Sequence, residues 1–154
     1  MSLNFADIAK TKIEEIERPA NAPVGTYVFQ ITKVPEMTTS QDGNWDIINI
    51  PCVAVEATDN VDPEDLRNFG AIKNIRQSYR FMFNKQDKAA FESTVFRLKT
   101  FLESHVRCTA DGMDLSQSLN ASVNQRFLGE LSWRPDKNNP EIIYTEIKRT
   151  APIE

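Results

Sequence analysis

Three strand-like runs, one amphipathic helix and a closing two-strand hairpin, in that order, predict a mainly β fold. The runs are residues 24–33, 45–57 and 72–83, the helix is 86–104, and the hairpin is 125–134 with 141–149. The order β-β-β-α-β-β predicts an OB-like, five-stranded Greek-key β-barrel with one main helix between its third and fourth strands. The reading divides the chain into an N-terminal arm or short helix with its linker (1–23), a barrel domain (24–150) and a short tail (151–154). At 154 residues, one domain with a substantial core is expected.

Each element follows from local pattern. Ile8, Ile13 and Ile16 stand at loosely helical spacing, with Asp7 or Asn4 as a cap, and Pro19 and Pro23 stop any helix there. This stretch reads as a short helix packed on the domain or as an arm that orders on a partner. In the first strand Tyr27, Phe29 and Ile31 alternate with Thr26, Gln30 and Thr32, the mark of a half-buried strand. Asp42-Gly43 signals a turn, and the polar residues before it predict a flexible tip. Pro51 interrupts the second strand and predicts an edge, bulge or bend, because proline has no N–H to give the ladder. An acidic loop with about one helical turn follows at 58–69. In the third strand Tyr79, Phe81 and Phe83 form a core face, and Arg76, Ser78 and Arg80 point outward. The helix starts at Asn84 or Asp87, and Phe91, Val95, Leu98 and Leu102 form its inner stripe, flanked by Thr94 and Phe101. Residues 114–119 read as a short helical turn. Gly129 within the fourth strand predicts a bulge or tight bend.

The net charge is −4, but the charge is unevenly spread. Residues 1–65 balance at −8, residues 66–110 at +6 and residues 111–154 at −2. The positive charge therefore lies on the third strand and the helix, where a local field can dock an anionic partner. No apolar run reaches the ~18 residues of a membrane helix, and no leader pattern opens the chain. An intracellular protein is expected. Cys52 and Cys108, with a single histidine, make no zinc motif and read as free thiols.

No phosphate-binding glycine loop, Ser/His/Asp set or metal-ligand spacing occurs, so the reading is of a protein that is not an enzyme and takes no cofactor or metal. What remains is a surface that could neutralise phosphates and stack bases. The candidate nucleic-acid-binding residues are Lys73, Arg76, Arg80, Arg126, Arg134 and Lys148 for phosphate, with Trp45, Trp133 and Tyr144 for stacking.

The openings Ala22-Pro-Val-Gly-Thr-Tyr and Thr39-Ser-Gln-Asp-Gly-Asn, the lone helix from Phe91 to Leu102, Asp114-Leu and Phe127-Leu-Gly-Glu-Leu carry a family likeness. Over residues 20–149 the chain resembles bacteriophage single-stranded DNA-binding proteins of the OB-fold type. The resemblance implies a sequence-tolerant protein that protects single-stranded DNA in phage replication and recombination, in the cytoplasm of a bacterial host. Replication or recombination proteins and a second copy of the chain would be its partners. The chain departs from many such proteins in lacking an acidic C-terminal run. The alternative is a non-enzymatic phage structural or protein-interaction component, such as a virion or assembly protein.

Overall fold

The computed structural model describes residues 5–13 and 21–153, with the side chains of Phe5, Asp7 and Ile8 left aside. The roles expected for Asn4, Asp7, Ile8, Ile16 and Pro19 lie outside what is described. α1 (Phe5–Lys10) is a helix of six residues, and Ile13 beyond it is exposed.

Six strands form one antiparallel sheet. They are β1 (Gly25–Ile31), β2 (Glu36–Thr39), β3 (Trp45–Ala57), β4 (Arg76–Asn84), β5 (Arg126–Pro135) and β6 (Ile143–Ala151). β3 is the long spine. β4 runs along one of its edges over Trp45–Val53, and β1 and β2 lie end to end along the other. The junction between β1 and β2 falls at Pro51. Lacking an N–H, Pro51 offers only its carbonyl, which accepts from the backbone N–H of Thr32 at 3.0 Å. β1 then pairs β5, and β5 pairs β6. A register shift at Val28/Phe29 bends the β1–β3 pair, and another at Glu130/Leu131 bends β5–β6.

Besides α1, three helices accompany the sheet among the described residues. α2 (Pro63–Phe69) has Asp62 as N-cap and Pro63 in its first turn. α3 (Lys88–Thr100) starts at Asp87, whose carboxylate accepts from the N–H of Ala90, and runs into a π-helical turn at Phe101–Val106. α4 (Leu115–Ala121) opens on a reciprocal capping box of Asp114 and Gln117.

The core lies between the sheet's inner face and α3. Tyr27, Phe29, Ile50, Phe81, Phe101 and Phe127 are almost wholly buried. Phe127 stacks on Phe29 at 5.9 Å and meets Phe101 edge-on at 5.1 Å, geometries that aromatic quadrupoles favour. Gly25 sits at φ +141°, and a Cβ there would come within 2.6 Å of Val61, so glycine lets the loop after β3 close over the start of β1.

Several sequence expectations are corrected. The sheet is not a closed five-stranded barrel of the OB type. Among the described residues no backbone ladder joins β4 to β6, six strands are present instead of five, and α2 and α4 stand beside the main helix. This open, mixed fold also removes the basis for the resemblance to phage single-stranded DNA-binding proteins. β2 occupies part of the expected flexible tip, because pairing with Asp46–Asn49 holds four exposed residues in a strand that their own propensity does not demand. The helix's inner stripe holds Phe91, Leu98 and Leu102 as expected, with Thr94 and Phe101 beside them, while Val95 is exposed. The apolar spacing departs at Val95, and Thr94 faces inward there because its hydroxyl donates to the Ala90 carbonyl at 3.1 Å.

Candidate functional site: a cationic cleft at the open sheet edges

Among the described residues three strands have a single neighbour, β2, β4 and β6, and of these β4 and β6 face each other. Each is an even number of antiparallel pairings from β1, so both run in the same sense as β1. One side-chain bond spans the gap, from Gln77 Nε2 to Thr145 Oγ1 at 2.8 Å. Otherwise the edges part around a cleft of about 900 Å³. Four cations line it: Arg80 from β4, Arg97 from α3, Arg134 from β5 and Lys148 from β6. Like charge on both banks opposes closure of the ladder.

Their surroundings differ. Arg134 Nε lies 3.3 Å from Glu146 Oε2, an exposed pair of small energetic weight. Arg97 lies over the ring of Phe81, 5.3 Å from its centroid, which holds the guanidinium at the cleft wall. Among the described residues, Arg80 and Lys148 form no ion pair. Tyr144 adds one exposed aromatic ring, and its hydroxyl donates to Asp136 Oδ2 at 3.2 Å. Backbone N–H groups of Asn138 and Asn139 also bind Asp136, and these bonds hold its carboxyl below the usual range. Glu146, in the middle of β6, gives the wall one negative charge.

The cleft thus brings together Arg80, Arg134, Lys148 and Tyr144 of the residues singled out from sequence. The others lie elsewhere. Lys73 is exposed on a 3-10 turn, and Arg76 opens β4 opposite Val53. Arg126 Nε donates to Gln30 Oε1 at 3.0 Å across the β1–β5 pair. Trp45 is half-buried at the start of β3, opposite Asn84. Trp133 is 48% exposed but structural, since its indole N–H donates to the Ala22 carbonyl at 2.7 Å and ties the segment before β1 to β5. Neither tryptophan reaches the cleft. A series of exposed aromatic platforms, which single-strand binding requires, is not assembled there. The expectation of single-stranded DNA binding is therefore corrected: it rested on an OB barrel, and the sheet is open.

Sequence reasoning missed Arg97, which reads as a solvated helix position until α3 is seen against β4. It also missed Ser78 and Glu146 as cleft residues. Their strand parity was the only available signal.

Cys52 is buried, and burial pushes its thiol pKa up to about 12; Cys108 is half-buried and shifted in the same direction for the same reason. Both are free. His105 Nδ1 lies 2.7 Å from Thr150 Oγ1, joining the π-helical turn to β6, and desolvation lowers its pKa. Among the described residues no group of three metal-binding side chains is present, and no helix is long and apolar enough to cross a membrane. No protein-family model matches the chain, and no curated protein is significantly similar to it.

Proposed function

We propose that this chain is a non-catalytic protein-binding module that receives an extended acidic segment of a partner in the cleft between β4 and β6. The observation that carries this reading is the cleft's lining: four cations against one carboxylate, in a chain whose net charge is −4. An acidic ligand gains from those cations, and the overall negative charge repels it elsewhere, which confines binding to one face. Two further features favour polypeptide over nucleic acid. Glu146 repels a continuous phosphate backbone but suits a segment with spaced charges. The open edges of β4 and β6 also offer backbone groups that an extended peptide can pair with.

The test is fluorescence anisotropy with a labelled decapeptide of alternating Val and Glu. Its Val/Lys counterpart and a thymidine oligonucleotide serve as comparisons. The acidic peptide should bind, weaken as salt rises, and lose about tenfold or more in affinity on Arg80→Glu with Lys148→Glu. Equal binding of both peptides, or tighter binding of the oligonucleotide, would overturn the reading.

A further inference from the structure

The outer face of β2, β3 and β4 carries a cross-strand row in register. Glu36 stands opposite Asn49, and Asn49 opposite Arg80. Lys33 and Val34 from the β1–β2 connection, with Pro51, complete a recess of about 250 Å³ around the row. Ser78 and Arg80 line both this recess and the β4–β6 cleft, so the two form one path.

The recess holds an unmet hydrogen-bonding demand. Asn49 Oδ1 is buried and has no partner. A buried acceptor without a donor is costly, and a ligand that supplies one recovers that cost. Among the described residues, Lys33 and Arg80 form no ion pair, so the lining carries two cations against the single carboxylate of Glu36. The matching ligand group carries an N–H donor and a negative charge side by side, with a small apolar group for Val34 and Pro51. The end of a polypeptide has this chemistry: its carboxylate, the amide N–H of its last residue and its last side chain. A phosphate or sulfate has the charge without the donor. Asn49 Oδ1 is shielded as it stands and meets such a group once the amide turns about its last torsion, which brings the oxygen to the recess.

We propose that this recess captures the free C-terminal carboxylate of the acidic segment whose preceding residues cross the cleft. This rests on the reading of the cleft given above and names which part of the partner binds. From β2 to β4 is two strand spacings, about 10 Å, which three extended residues span. The partner's last residues would therefore lie over Asn49, Ser78 and Arg80, and the acidic residues before them would lie against Lys148 and Arg134.

The experiment compares two labelled peptides of sequence Val-Glu-Val-Glu-Val-Val, one ending in a carboxylate and one in an amide. The carboxylate form should bind about tenfold or more tightly, the factor expected for losing a charged hydrogen-bonding group. Asn49→Val should reduce that difference while leaving the urea midpoint unchanged or higher, because it removes an unpaired buried oxygen. Lys33→Glu, on an exposed connection, reads the same difference if Asn49→Val does not fold. Arg134→Ala, at the far end of the path, should weaken both peptides alike. If both peptides bind equally to the unaltered protein, the recess assignment fails and the cleft reading stands. If neither binds, both fail.

Discussion

Gly129 shows how a single missing side chain sets the packing of the sheet. It lies in β5 opposite Tyr27 and beneath the ring of Phe29. A Cβ there would fall 2.7 and 2.9 Å from two Phe29 ring carbons, and Phe29 is fully buried against Phe127 with no room to retreat. Gly129→Ala should therefore destabilise by about 1–3 kcal/mol, the usual cost of overpacking, read as a lower urea midpoint with an unchanged slope. An unaltered midpoint would mean that Phe29 adapts freely. The sequence signalled that a glycine in this strand marked something unusual. It could not say that the reason is an aromatic ring 100 residues earlier in the chain. The same holds for the cleft. Arg80, Arg97, Arg134 and Lys148 belong to four different elements. Charge counting found the basic middle third, but only the folded chain shows which of those cations meet Lys148 across an open edge.

At the scale of elements, legibility followed how much each segment decides for itself. β3 spans Trp45–Ala57, the range its β-branched run predicts, because its alternating side chains fit a sheet on their own terms. β2 is the opposite case: Glu-Met-Thr-Thr is exposed throughout and is a strand because β3 supplies its partners. In α3 the expected stripe holds at Phe91, Leu98 and Leu102 and departs at Val95, for a similar reason. Thr94 looks polar in sequence, yet its back-bonded hydroxyl lets it face the core while Val95 stays outside. α4 depends most on its cap. It has seven residues, too few to be stable alone, and Asp114 and Gln117 satisfy two of its backbone N–H groups reciprocally at 2.8 and 2.9 Å. Asp114→Ala should cost about 1 kcal/mol. The loss should appear in hydrogen exchange as faster opening across Leu115–Ala121, with β1 and β3 protected as before. Equal loss of protection throughout would show that α4 unfolds only with the whole domain.

For the molecule as a whole, the buried titratable groups set an alkaline limit. The Tyr27 hydroxyl donates to the Pro23 carbonyl at 2.7 Å, and burial pushes its pKa from 10.0 up to about 12. Burial raises the Cys52 thiol from 9.0 to about 12. Both groups hold their protons more tightly in the folded chain than in the unfolded one. The stability they contribute is whole below about pH 9 and is lost as pH climbs toward about 12, because the unfolded chain releases those protons first. The urea midpoint should fall across that window, and a Tyr27→Phe, Cys52→Ala double variant should show a shallower fall. A midpoint that stays flat between about pH 9 and pH 11 would count against this account. The central position of β1 has a further consequence, for how the chain is made. One edge of β1 is covered by β3, but the other waits for β5, whose Leu131 pairs with Gly25. Some 100 residues must be synthesised in between, which takes about 5–20 s at ordinary translation rates. Throughout that interval Phe29 lacks the Phe127 ring that stacks on it in the finished fold. A nascent chain of this protein therefore leaves this edge of β1 and the Phe29 ring uncovered until β5 has left the ribosome.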